Sequence, residues 1–238
     1  MKKILVLSIL FVVVITGTQC QNTKWEHAVL LRKNVMERKF GIPFSNEWSP
    51  KVAFKNSDTI DGEIISYNGM YVSEDSSFRF NGRFKTATIP SIGDTVTPLA
   101  DSIRLLIDHE LGHALVDQLS RRLYNKTWPV KTSFYSYWQA IEVRILSEGM
   151  ADYFRNMLSY DTSSHIESLP DGPYGDIWKT SNWIYDGGYW TVKPIIETYG
   201  QKGLEYIMTN PLSVMSYDVR SACAEYQKIA LEELALLR

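Results

Sequence analysis

Two histidines four residues apart, inside an apolar-periodic run, constrain this chain more than any other feature. The run is Ile107-Asp108-His109-Glu110-Leu111-Gly112-His113-Ala114-Leu115, an H-E-x-x-H pattern. Residues four apart lie one above the other on a helix, so both imidazoles can point at one ion. Zinc accepts imidazole nitrogen at about 2.0–2.1 Å and usually takes three protein ligands in catalytic sites. Glu110, beside His109, can reach a water on the metal rather than the metal. The chain has 4 histidines, and two of them fall here. The flanking Ile103, Leu106, Ile107, Leu111 and Leu115 argue for a buried helix. Two histidines and a glutamate buried there without a partner would be costly, which favours a metal over a decorated surface helix.

The third ligand must come from elsewhere. Val116 and Leu119 stand where the extended metzincin pattern needs Gly and His, which excludes that class. The best candidate is Glu148, in Ser147-Glu148-Gly149-Met150-Ala151-Asp152-Tyr153 on the next long helical pattern. Asp152, one turn on, can accept the other ring N–H of a ligating histidine and so fix its tautomer. Glu142 is the reserve, but it lacks an aspartate one turn later. Arg144, four before Glu148, can pair with Glu148, Glu142 or solvent.

H-E-x-x-H followed by E-x-x-x-D on a later helix resembles the gluzincin zinc peptidases, the group of thermolysin and aminopeptidase N. The resemblance implies His109, His113 and Glu148 as ligands, Glu110 as general base and Asp152 as the outer carboxylate. The 34 residues between His113 and Glu148 are more than those two relatives have, with the extra length in Arg121–Tyr137. Tyr185-Asp186-Gly187-Gly188 is similar to the Y-x-x-G of aminopeptidase-N-like enzymes, which implies Tyr185, with Tyr189 behind it, as a hydroxyl for the oxyanion. The tract from Val192 through Pro194, Ile195, Ile196 and Tyr199-Gly200 to Asn210-Pro211 resembles the carboxy-terminal part of bacterial gluzincin-like proteins. The marker G-x-M-E-N for a free amino terminus is absent, which favours an endopeptidase.

Met1-Lys2-Lys3, the apolar Ile4–Ile15 and the small residues Thr16-Gly17-Thr18 read as a secretory signal over residues 1–19. The apolar stretch is short for a membrane span. Cys20 sits where a bacterial lipoprotein carries its acyl chains, although Gln19 is a poor residue just before it. We therefore expect an extracytoplasmic protein, anchored to the membrane through Cys20 or secreted. Cys20 and Cys223 are the chain's 2 cysteines. A lipidated Cys20 leaves Cys223 as a lone thiol; otherwise one disulfide is open to them. Losing Lys2 and Lys3 leaves 23 basic residues against 27 acidic ones, net −4. No basic stripe suggests nucleic acid.

Trp25–Phe40 reads as an amphipathic helix with Trp25, Val29, Met36 and Phe40 in the core, stopped by Gly41-Ile42-Pro43. Lys51–Thr86 reads as strands. Asn68-Gly69, between Glu63–Tyr67 and Met70–Glu74, predicts one hairpin; Asn81-Gly82, between Phe78–Phe80 and Arg83–Lys85, predicts another. Thr86–Pro90 reads as extended. An edge strand here, Gly69–Ser73 or Phe84–Ile89, could pair with a substrate backbone. Thr97 as cap and Pro98 at the first helical position open a helix to about Tyr124. Thr132–Leu158 is the second long helix. Ser159–Asn182 is loop-like and holds His165, which reads as exposed. Tyr189–Tyr199 predicts a helix stopped by Gly200, and Gln201–Met208 and Met215–Leu237 close the chain.

The expected fold is α+β and zincin-like: a small N-terminal antiparallel sheet in a lobe of about 20–96, then zinc-binding helices and a helical lobe over about 97–238. The expected function is hydrolysis of peptide bonds in peptide or protein substrates, with zinc as cofactor and with Trp178, Trp183 and Trp190 as wall or core residues. The alternative is a non-catalytic surface lipoprotein acting as a binding module. A structural zinc would normally want a fourth Cys or His ligand.

Overall fold

The computed structural model describes residues 23–60, 63–85, 87, 98–128, 137–159, 182–210, 212 and 219–237. Cys20, Thr97, His165, Trp178 and the rest of residues 160–181, expected as a loop, lie outside them, as do the expected signal sequence and most of Thr86–Pro90. The Trp183 side chain is also outside the description. The fold is α+β and mostly helical. No helix among the described residues is long and apolar enough to cross a membrane.

Two compact units divide the chain. Among the described residues, one contains 23–41 and those within Ser45–Glu110; the other contains Ile42–Phe44 and those from Leu111 onward. The division falls inside one unbroken helix, between Glu110 and Leu111.

In the first unit, helix α1 spans residues 23–40. Gly41 ends it at φ +66°, a conformation open to glycine, and its N–H donates to the Glu37 carbonyl at 2.9 Å. Trp25, Val29 and Met36 are fully buried. The Trp25 ring meets Phe80 at 4.7 Å and Phe54 edge-on at 5.3 Å, so the core reading holds for Trp25, Val29 and Met36, while Phe40 is only half-buried. Strands β1 (Lys51–Phe54), β5 (Ser77–Phe80) and β4 (Gly69–Val72) form one sheet in that order; β2 (Ser57–Ile60) and β3 (Glu63–Ser66) form a second.

The larger sheet is mixed, not antiparallel as expected. β4 pairs antiparallel with β5, but β1 pairs with it in parallel. The intervening β2, β3 and β4 supply the long crossover that a parallel neighbour requires. Neither Asn-Gly pair turns a hairpin. The hairpins join β2 to β3 and β4 to β5. Asn81 instead caps the 3₁₀ turn Gly82–Phe84, accepting from the Arg83 N–H. The two pairs meet at one end of the β4–β5 ladder. Asn81 N–H donates to the Asn68 carbonyl at 2.8 Å, and Arg83 Nη2 donates to Asn68 Oδ1 at 2.7 Å. Both glycines serve close approach: a Cβ on Gly82 would lie 2.6 Å from Asn56 Oδ1.

Asp58 on β2 ties the two sheets together. It accepts from Arg79 Nη1 at 2.8 Å, Tyr67 Oη at 2.9 Å and Lys55 Nζ at 3.1 Å. Burial works to raise its pKa, but the hydrogen bonds from Arg79, Lys55 and Tyr67 outweigh it and hold the carboxyl at about 2, below its ordinary 3.8. Burial and the Asp58 carboxylate push the Tyr67 phenol up to about 12. A depressed folded pKa contributes stability above the unfolded value and loses it as pH falls through the folded one. Asp58→Asn should therefore flatten the acid limb of the stability curve between about pH 4 and 2, read from urea midpoints at stepped pH. An unchanged limb would remove Asp58 from that role.

Helix α2 runs from Pro98 to Tyr124, as the Pro98 signal predicts. Ile103, Ile107, Leu111, Leu115 and Leu119 are buried on it. It ends where Asn125 turns left-handed, at φ +54°, with its N–H on the Arg121 carbonyl. The buried Asp117 then accepts the Trp128 N–H at 2.9 Å, which ties the stretch after the helix back to it.

In the second unit, α3 (Tyr137–Ser159), α4 (Asn182–Tyr199), α5 (Gln201–Thr209) and α6 (Val219–Leu236) pack as a helical lobe. Gly200, at φ +57°, separates α4 from α5 as expected. Helix α4 begins earlier than the expected Tyr189, so Tyr185-Asp186-Gly187-Gly188 lies within it. The glycine is there for packing. A Cβ on Gly188 would collide with the Ile145 carbonyl oxygen, and one on Gly149 would collide with the Gly188 backbone. Gly149→Ala or Gly188→Ala should destabilise by the cost of overpacking, about 1–3 kcal/mol or more, seen as a lower denaturation midpoint. Equal midpoints would mean the crossing is looser than described.

Pro194, inside α4, has no N–H for the Trp190 carbonyl. Gln227 on α6 supplies the missing donor, with Nε2 at 2.7 Å from Trp190 O and 3.2 Å from Thr191 O. Trp190 is half-buried and lies edge-on to Tyr189, with Lys193 Nζ 5.0 Å from its ring centre. Cys223 is buried in α6.

Candidate metal centre

His109 and His113 stand on consecutive turns of α2, and Glu148 stands on α3. One ligand atom from each of the three lies within 4.8 Å of the others. Helix geometry alone keeps the two histidines on one face. His113 Nε2 lies 3.3 Å from Glu148 Oε2. Two donors each about 2.0–2.1 Å from one tetrahedral ion are separated by about 3.3–3.4 Å, so this pair fits a shared zinc. Two imidazoles and a carboxylate are also a donor set that zinc takes.

The approach of α3 to α2 has a local cause. Gly112 lies between Glu110 and His113, and a Cβ there would sit 2.7 Å from Ala151 Cα and 2.9 Å from its carbonyl oxygen. Glycine lets the α3 backbone close on α2 one turn from Glu148. Sequence reading passed over this residue because both positions between Glu110 and His113 are free in the motif.

His113 is held from behind. Its Nδ1 lies 3.3 Å from Ser147 Oγ, and Ser147 is buried. With Nδ1 engaged, Nε2 is the nitrogen turned toward Glu148, the arrangement by which outer partners orient a ligating histidine. Ser147 precedes Glu148 on the same helix; its place beside the proposed ligand was the available signal. The other Glu148 oxygen, Oε1, lies 3.7 Å from Arg144 Nε. Of the partners open to Arg144 in the sequence, Glu148 is thus one that it has. Asp152 is buried and pairs with Arg155 Nη1 at 3.1 Å. Glu142 is buried on α3, outside the three-residue group.

Glu110 is buried and faces β4: its Oε2 accepts the Tyr71 backbone N–H at 2.7 Å. Neighbouring Asp108 is fully buried and takes a two-pronged bond from Arg32 of α1, at 2.7 Å to Nε and 2.6 Å to Nη2. Such fork-on-carboxylate pairs are among the strongest side-chain hydrogen bonds. They pin α1 to the turn of α2 that carries His109 and Glu110. Tyr185 is half-buried in α4.

No protein family matches this chain, and no curated protein or solved structure matches it.

Proposed function

We propose that the chain is a zinc-dependent peptidase of the gluzincin type, in which His109, His113 and Glu148 hold the ion. The observation that carries this reading is the group of three donors with the 3.3 Å His113–Glu148 separation. Glu110 supports it, since its carboxylate lies between the two histidines in sequence but is bonded to a strand. When bound, zinc supplies Lewis acidity that polarises the scissile carbonyl and makes a water easier to deprotonate.

Glu110 takes the proton of the attacking water and returns it to the leaving nitrogen as the C–N bond breaks. Ser147 keeps His113 in its working tautomer. Asp152 fills the outer-carboxylate role. Tyr185 donates its hydroxyl to the developing oxyanion. The Tyr71 N–H at the open edge of β4 is given to Glu110, so a substrate backbone would pair farther along the Gly69–Ser73 segment.

The test is zinc content measured together with cleavage of unfolded protein. About one zinc per chain, with cleavage that a chelator stops and zinc restores, is the expected result. Zinc-loaded protein that cleaves nothing in a broad peptide library would leave the binding-module reading in its place.

A further inference from the structure

We propose that strand β4 is a positioning element for Glu110, gripping its carboxylate through the Tyr71 N–H and making room for it at Gly69. The proposal rests on the reading of Glu110 as the base. β4 has β5 on one side, and its other edge ends the sheet. The Asn81 N–H bonds to the Asn68 carbonyl, so residues 68 and 81 are a hydrogen-bonded pair. Such pairs alternate along an antiparallel ladder. Met70 and Val72 therefore turn their backbone groups toward β5, and Gly69 and Tyr71 turn theirs to the open edge.

Glu110 sits at that edge. The Tyr71 N–H meets its Oε2 at 2.7 Å, short for a nitrogen donor and typical of a bond to a charged acceptor. Two residues along, a Cβ on Gly69 would stand 3.0 Å from Glu110 Oε1 and 2.9 Å from Leu106 Cδ1. Gly69 is not among the glycines with positive φ, so alanine carries no backbone penalty there. What it meets is the base and the tip of one leucine. The two edge-facing residues of β4 thus bracket one carboxylate, one by donating and one by lacking a side chain. A base must lie within hydrogen-bond reach of the proton it takes, and a misplacement of about 1 Å can cost about 10²-fold in rate.

The test combines kinetics with a direct view of the bond. Gly69→Ala should lower kcat by roughly 10- to 10²-fold while KM and zinc affinity stay near wild type. Gly69→Ala in a Leu106→Ala background relieves the leucine contact and should keep the kcat defect. In amide-resolved NMR of the whole chain, the Tyr71 proton should lie downfield and exchange slowly. Glu110→Ala should move it upfield and speed its exchange. Wild-type kcat in Gly69→Ala, or a defect that Leu106→Ala cures, overturns the proposal. A Tyr71 amide indifferent to Glu110→Ala also overturns it. Should the wild type cleave nothing, the peptidase reading fails first, and the amide measurement alone decides whether β4 holds the carboxylate.

Discussion

Glu110→Gln should abolish cleavage and leave the zinc in place. Glu110 is not one of the three proposed ligands, and its carboxylate bonds to the Tyr71 N–H of β4. Glutamine keeps the shape and one acceptor oxygen for that N–H, so fold and zinc content should be close to wild type. What glutamine cannot do is accept the water's proton. General-base catalysis is worth typically about 10²–10⁴-fold, and kcat should fall by that range. Tyr185→Phe is the milder contrast. It removes one oxyanion donor, about 10²–10³-fold at most, and should act on kcat more than KM. The decisive outcome is the pairing of retained zinc with lost cleavage in Glu110→Gln. If that variant cleaves as fast as wild type, the proposed mechanism fails whatever its metal content.

His113→Ala and Glu148→Ala should each lose most of the bound zinc. Their donor atoms are 3.3 Å apart, so each removes one corner of a three-ligand site. Loss of an outer partner typically lowers affinity about 10–100-fold, and loss of a ligand should exceed that. Ser147→Ala belongs in the milder range, because it frees the His113 ring without removing a donor. Competition with a chromophoric chelator would rank the three. Full zinc affinity in Glu148→Ala would dismiss Glu148 as a ligand and make Glu142, on the same helix, the residue to test.

Much of this was readable where one segment decides its own conformation. The start of α2 at Pro98, the helix stops at Gly41 and Gly200 and the buried stripe from Ile103 to Leu115 all follow from local rules. Strand partners were not readable in the same way. Asn68-Gly69 and Asn81-Gly82 carry the composition of tight hairpin turns, yet both are spent at one end of the β4–β5 ladder. Glycine is ambiguous in a sequence: it marks a positive φ at Gly41, a near-touching helix at Gly112 and a neighbouring carboxylate at Gly69. The same ambiguity moved the start of α4 back from Tyr189: Gly187-Gly188 reads as preceding the helix, yet both lie inside it and Gly188 is an interior crossing point.

By itself the sequence determined which residue types could ligate a metal and that the two histidines share a face, because an i, i+4 relation is a property of the helix alone. It also determined which faces of α1 and α2 are buried, since apolar periodicity sets that locally. Only the tertiary structure decided which atoms meet. The Gly112–Ala151 approach brings α3 against α2, Ser147 lies against Nδ1 of His113 while Nε2 faces Glu148, and the Tyr71 N–H takes the Glu110 carboxylate. These contacts join residues from 34 to 39 positions apart, and a backbone N–H that any residue could supply leaves no mark in a sequence.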